Sequence, residues 1–199
     1  MKEEPLVLGV DDGPFPPFAK IERGKHHALI VGTLMLTPKP LWISVKSIIV
    51  DGMDVTEKTI RIVKEAPIKP TAVIASGVTF AGFNVLDVEA LHRSTSTPVI
   101  VVVDRKPDLK SIKNALMKHF DDWELRFRLI SRFYPSNSIK VRLGEKPVYY
   151  ASIGMEHKGA EKLIKKTCMR GRMPEPIRLS GLIARRLTEL FYPSNIETR

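Results

Sequence analysis

A chain of 199 residues, 43% hydrophobic and 27% charged, can bury a full core as one domain without covalent staples, and its 15 prolines argue for interrupted elements rather than a disordered tract. The single cysteine, Cys168, excludes an intrachain disulfide framework and a cysteine-rich metal knuckle, and fits a buried thiol in a reducing compartment. The formal net charge of +10 is unevenly placed, with 11 Lys or Arg against 12 Asp or Glu in residues 1–104 and 21 against 10 in residues 105–199.

The acidic start MKEEP has no apolar signal core, and no apolar run is long enough to span a bilayer, so a cytoplasmic protein with no membrane partner is expected. Leu6 to Val10 is a short apolar run ending in Asp11-Asp12-Gly13-Pro14, the pattern of a buried strand followed by a turn. His27 to Leu36 and Leu41 to Val50 make two further strands, linked through Pro38 and Pro40, so a three-strand meander opens the domain. A helix from Asp54 to Lys64 follows, with Asp54 as its cap and Glu57 at capping-box spacing. Next come a short strand at Ala72 to Ala75, a helix at Asn84 to His92, an apolar strand at Val99 to Val103 and an amphipathic helix at Asp108 to Phe120. Strand-helix alternation with β-branched strands marks parallel crossovers, so a mixed sheet flanked by helices is expected.

The remainder, the basic part from about 105 to 199, reads as mainly helical. Trp123 to Phe133 is a helix or a continuation of the one before it. Ile139 to Leu143 and Val148 to Ile153 can pair around Gly144-Glu145, and helices follow at Glu156 to Cys168 and Ile177 to Phe191. The five residues Phe-Tyr-Pro-Ser-Asn occur at 133–137 and again at 191–195, where proline explains a helix stop.

Functional crevices of parallel sheets lie outside the carboxyl ends of the strands. Asp11 and Asp12 end the first strand, Ser76-Gly77 the next parallel one, and Asp104 the third. Two acids at the end of an apolar strand call for a hydrogen-bonded cap, solvent, or a hard divalent cation such as Mg²⁺ or Mn²⁺. Asp54 and Glu57 are either a cap and its partner or further ligands reaching into the crevice. The segment Ser76 to Asn84 places two glycines, two hydroxyls and two phenylalanines before an expected helix N-terminus. Its amides suit an anion, and Thr79, Phe80 and Asn84 either meet nucleic acid or anchor the loop in the core. Lys165, Lys166, Arg170 and Arg172 bracket a helix end in the basic half, as phosphate contacts or as a solvated surface. The five histidines and Cys168 have no zinc-like spacing, and there is no Walker loop, dinucleotide fingerprint or nucleophile elbow, so no nucleotide cofactor is expected.

The stretches VLGVDDGPF at 7–15, GVTFAGFNVLDVEALH at 77–92, PVIVVVDRKPDL at 98–109 and MPEPIRLSGLIA at 173–184 resemble the archaeal family called domain of unknown function 99, or UPF0215, over nearly the whole chain. That family is distantly similar to endonuclease V, a ribonuclease-H-like enzyme that cuts DNA or RNA near deaminated adenine with Mg²⁺. The resemblance implies one endonuclease-V-like domain over residues 1–199, with a ribonuclease-H-like sheet and DNA or RNA as partner. Gly9-Val10-Asp11 matches the enzyme's strand-one motif, which implies a metal-binding role for Asp11. RMPEPIRL at 172–179 resembles its late arginine- and proline-rich segment. Ser76-Gly77 stands where the enzyme has aspartate-glycine. The enzyme's glutamate falls near Asp54 or Glu57, and its late histidine or aspartate falls near Met155 to His157. Its tyrosine-proline-glycine wedge is not evident in GMDVTEK. Two functions follow, a divergent Mg²⁺-dependent nucleic-acid hydrolase or a nucleic-acid- or partner-binding module that has lost cleavage, and an unrelated small-molecule activity in the GVTFAGFN crevice stays open beside them.

Overall fold

Leu6–Asp12 (β1) is the strand around which the rest is laid out. It bonds antiparallel to β2 (His27–Leu36) on one side and parallel to β4 (Ala72–Ala75) on the other. With neighbours on both edges and helices over both faces, its central residues can only be apolar or glycine, as Val7, Leu8, Gly9 and Val10 are. The computed structural model describes residues 4–16, 19, 25–141 and 146–191. Along the chain follow β3 (Lys39–Ile49), α1 (Val55–Glu65), the two-residue strands β5 (Thr79–Phe80) and β6 (Asn84–Val85), α2 (Val88–Thr95) and β7 (Val99–Val103). The last third holds α3 (Leu109–His119), α4 (Trp123–Arg132), β8 (Asn137–Ile139), β9 (Val148–Ile153), α5 (His157–Thr167) and α6 (Glu175–Phe191).

Seven strands form one mixed sheet in the order β3-β2-β1-β4-β7-β9-β8, while β5 and β6 make a separate hairpin. The meander β1-β2-β3 followed by the parallel run β1-β4-β7 is the ribonuclease-H-like arrangement expected. Strand alternation divides the core. Leu8, Val10, Val73 and Val101 pack with Ile62, Leu91, Leu116 and Ile130 of α1 to α4. Val7, Ile74, Ile100 and Val102 pack on the other face with Ala160 and Ile164 of α5 and Ile177 of α6.

Strand register also fixes which residues share a rim. β1, β4 and β7 end together. Asp12 lies opposite Ile30, and His27 opposite Ile49, so the start of β2 and the end of β3 are at that same carboxyl rim. Val103 lies opposite Tyr149, and Ile139 opposite Val148, which adds the start of β9 and the end of β8.

Three expectations are corrected. The helix expected at Asn84 to His92 is a hairpin followed by α2. Ala81 (φ 42°) and Gly82 (φ 87°) make the turn, and Asp87 caps α2 by accepting from the Ala90 N–H at 2.9 Å. Pro40 lies within β3 rather than in the link, tolerated because β3 is an edge strand with a register shift beside it. Strand β8 is Asn137–Ile139, with 140–141 outside it, and the end of the strand expected at Ile139 to Leu143 lies outside the described residues. Gly144-Glu145 and the second Phe-Tyr-Pro-Ser-Asn copy beyond Phe191 lie outside the described residues. Among the described residues no helix is long and apolar enough to cross a membrane.

Candidate active site

Helix α6 lies so close on β1 that Gly9 and Gly13 have no room for a side chain. A Cβ on Gly9 would sit 2.2 Å from the Pro176 carbonyl carbon, and one on Gly13 would sit 2.8 Å from the Ala184 oxygen. The buried Ser180 hydroxyl binds the contact together, 2.9 Å from Thr33 Oγ1 and from the Pro176 carbonyl and 3.0 Å from the Gly9 carbonyl. This close approach is the structural purpose of the proline- and serine-containing segment at 174–181.

The same approach shapes the end of β1. Alternation sends Asp11 toward α6 and Asp12 toward the β5-β6 hairpin. Asp11 Oδ1 accepts from the Ser76 hydroxyl at the end of β4 and from the Asp12 N–H at 3.0 Å. Its Oδ2 fills the notch left by Gly181, where a Cβ would come within 2.3 Å. Asp12 Oδ2 accepts from the Ala81 N–H at 2.6 Å. Asp51 holds the other side of that turn: its N–H donates to the Ala81 carbonyl at 2.9 Å, and its Oδ1 accepts from Phe83 N–H at 2.8 Å.

Asp11 and Asp12 nonetheless open into one cleft of about 540 Å³, together with Gly13, Pro14 and Ser76. Its facing wall is α6 and the residue ahead of it, through Met173, Ile177, Arg178, Gly181, Leu182 and Arg185. Arg178 is fixed by a bidentate pair with Glu175, Nε–Oε2 2.8 Å and Nη2–Oε1 2.5 Å. Arg185 has no ion-pair partner among the described residues. Burial pushes the Asp11 carboxyl up to about 6 against the hydrogen bonds that favour its charged form. Burial, reinforced by the negative charge of Asp11, pushes Asp12 up to about 7.

Two crowded carboxylates without a Lys or Arg partner among the described residues fit a hard divalent cation. Mg²⁺ is held typically by one or two carboxylates and completes its shell with water and substrate phosphate. Among the described residues no group of three or more His, Cys, Asp or Glu side chains is disposed around a metal position. Asp11 is therefore the principal candidate ligand, and Asp12, with one oxygen committed to Ala81, the second.

Other expected site residues fall elsewhere. Glu57 is on the outer face of α1, 56% exposed and paired with Arg61 at 2.6 Å, because Val55, Thr59, Ile62 and Val63 take the buried face. Asp54 lies at the same rim but accepts from the Ile49 N–H at 3.1 Å and Asn84 Nδ2 at 2.6 Å, and does not line the cleft. Phe80 is 1% exposed and Asn84 is fully buried, so neither can stack on or contact a nucleic acid. Asn84 bridges Val55, Ile49 and Asp54 instead. Thr79 is half-buried, opposite Val85 in the hairpin. Lys165, Lys166 and Arg170 are exposed. Arg172 is a tie, bonding the Asp104 and Pro147 carbonyls at 3.3 and 3.4 Å and approaching Asp104 Oδ2 at 3.6 Å. Met155 to His157 follow β9, whose Ile153 lies opposite Val99 at the start of β7, so they occupy the rim opposite the cleft. Gly181, Arg178 and Arg185 were not singled out for the cleft by sequence. The legible signal was two arginines seven positions apart, on one side of an amphipathic helix, flanking a glycine.

Comparison with known proteins agrees with this architecture. Residues 4–188 match the family model of Endonuclease dU. The UPF0215 protein of Methanopyrus kandleri is 38% identical over 194 residues, covering 95% of this chain and 94% of that protein. The Thermococcus kodakarensis UPF0215 protein is 38% identical over 186 residues, covering 92% of each. A crystal structure of a protein of unknown function from Archaeoglobus fulgidus superposes with a TM-score of 0.77 at 29% identity, covering 92% of this chain and 97% of that one. Ciona intestinalis endonuclease V, in complex with a 24mer DNA containing an inosine followed by a ribo-adenosine, superposes with a TM-score of 0.63 at 14% identity, covering 94% and 87%. That last likeness is one of fold. The chain thus belongs to the archaeal UPF0215 family, matched by the Endonuclease dU model, and is related in structure to endonuclease V.

Proposed function

We propose that the protein is a metal-assisted endonuclease that hydrolyses a nucleic-acid strand at a deaminated base, with deoxyuridine in DNA as the first substrate to test. One observation carries the reading: the buried Asp11-Asp12 pair, with no basic partner among the described residues, opens into the same cleft as Arg178 and Arg185. Carboxylates on one wall and guanidiniums on the other suit a phosphodiester, whose oxygens need a cation on one side and N–H donors on the other. A Mg²⁺ or Mn²⁺ held by Asp11 and Asp12 would supply Lewis-acid polarisation of the phosphate and of the attacking water. Ser76 holds one oxygen of Asp11, which leaves Oδ2 directed into the notch at Gly181. Arg178, held by Glu175, offers a preorganised donor, and Arg185 an exposed one. Support for the substrate class comes from the Endonuclease dU family model.

The test is cleavage of duplex and single strands carrying deoxyuridine or inosine, with Mg²⁺ or Mn²⁺. Wild type is expected to cut, and Asp11→Asn to cut at least about a hundredfold more slowly while melting no lower than wild type. A well-folded wild type that cuts none of these strands with either metal overturns the reading. One feature favours binding without cleavage: the residue after β4 is Ser76, a hydroxyl that donates to Asp11, and not a third carboxylate. On that reading the wild type retains the damaged strand and leaves it intact.

A further inference from the structure

The carboxyl rim is more basic on one side of the cleft than on the other, although Asp104 and Asp108 stand among the cations there. On the β2-β3 side of Asp12 the rim carries Asp51 and Asp54, both accepting backbone hydrogen bonds, with Lys25 ahead of β2. On the other side, the ends of β7, β9 and β8 bring together residues far apart in sequence. Arg105 and Lys106 follow β7, Lys140 follows β8 and Lys146 precedes β9. Helix α5 starts at the opposite rim and returns, and Arg172, tied to Asp104 and Pro147, brings its basic end here, so Lys165 and Arg170 join them. All six are exposed, and none forms an ion pair among the described residues. Among the described residues some cations elsewhere are paired, as in Lys46–Glu65 and Arg61–Glu57, and others, such as Lys64 and Lys69, are not, so what marks this stretch is the clustering of its cations. Among the described residues of this stretch no exposed aromatic offers a platform for bases: Tyr134 and Tyr149 are half-buried, and Tyr134 is covered by Lys106 and donates to the Pro107 carbonyl.

We infer that a nucleic-acid duplex lies along this rim, held by its phosphates, running from the Asp11 cleft toward β8 and not toward β3. Four strand spacings separate β1 from β8, about 20 Å. That distance is roughly six nucleotide steps of one duplex strand, enough for several of these cations to meet phosphates. Unneutralised cations without stacking aromatics read the backbone of a paired helix rather than the faces of unpaired bases. The inference rests on the reading of the protein as directed to nucleic acid, and not on cleavage.

The experiment measures anisotropy of a labelled, undamaged DNA duplex with the full-length protein in EDTA, over a range of salt. R105Q/K106Q/K140Q/K146Q is expected to bind about tenfold or more weakly and to flatten the slope of log K against log salt by roughly two units or more. K64Q/K69Q, exposed at the opposite rim, is expected to bind as wild type does. A rim variant with wild-type affinity and slope, an equal loss in K64Q/K69Q, or tighter binding of a single strand than of the duplex each overturns the inference. Restoring charge through Lys140→Arg and Lys146→Arg should keep wild-type binding, which separates lost charge from lost packing. Because no metal or cleavage enters, failure of the hydrolase reading leaves the result standing, and failure here leaves cleavage to be judged on Asp11.

Discussion

Gly181 and Ser76 bear on the two oxygens of Asp11 from opposite sides. A methyl group at 181 would stand 2.3 Å from Asp11 Oδ2, and the obstructed atom is the free end of a side chain rather than backbone. The fold can therefore yield by rotating the carboxylate, while alanine in place of glycine gains helix propensity of about 1 kcal/mol. Gly181→Ala is expected to melt within a few degrees of wild type yet to bind Mn²⁺ about tenfold more weakly, as read by calorimetry. Unchanged Mn²⁺ affinity would mean that Oδ2 is not a ligand. The importance of Asp11 was legible in sequence because acids rarely end an apolar strand without a reason. That of Gly181 was not, because a glycine's meaning lies in the chain that packs against it.

Among the elements, the opening meander and the parallel crossovers after it could be anticipated: β-branched runs alternating with helical periods leave few topologies open. The hairpin could not. Its Gly-Val-Thr-Phe-Ala-Gly-Phe-Asn sequence carries the residue types of a ligand loop, and only tertiary contacts reveal that Phe80 points inward and that Asn84 serves the core. Asn84 Oδ1 accepts from the Val55 N–H at 3.0 Å, and Nδ2 donates to the Ile49 carbonyl at 2.8 Å and to Asp54 at 2.6 Å, so one amide joins β3, α1 and the hairpin. Removing it leaves buried donors and acceptors unsatisfied, at about 1–3 kcal/mol each. Asn84→Ala is expected to lose roughly 3 kcal/mol or more in urea denaturation, and Thr79→Ala, half-buried and outside that network, under about 1 kcal/mol. Near-equal losses from the two would remove the amide's bridging role. Arg126 supports the same junction, donating to the Gly52 and Phe83 carbonyls at 3.0 and 2.6 Å, so the hairpin that holds Asp12 is fastened from two sides.

For the whole molecule, the buried acid pair makes stability depend on pH in the direction opposite to most proteins. Asp11 and Asp12 bind protons more tightly folded, at about 6 and about 7, than at the ordinary 3.8 of an unfolded chain. The folded state thus holds more protons in that interval, and stability falls as pH rises from about 4 through about 7. Each carboxylate contributes on the order of 1–3 kcal/mol of this loss after allowance for solvent at the cleft mouth. Glu175, whose pair with Arg178 holds it below the ordinary carboxylate range, acts with the opposite sign and only at lower pH. In EDTA the wild-type melting temperature should therefore decline between pH 5 and pH 8, and the decline should largely vanish in Asp11→Asn/Asp12→Asn. Mn²⁺ should raise the wild-type melting temperature far more at pH 8 than at pH 5, because at the higher pH the cation competes with no proton and relieves the repulsion that burial imposes. Parallel pH profiles for wild type and the double variant would show that these carboxylates are well solvated, and would remove the electrostatic reason for a cation at the end of β1.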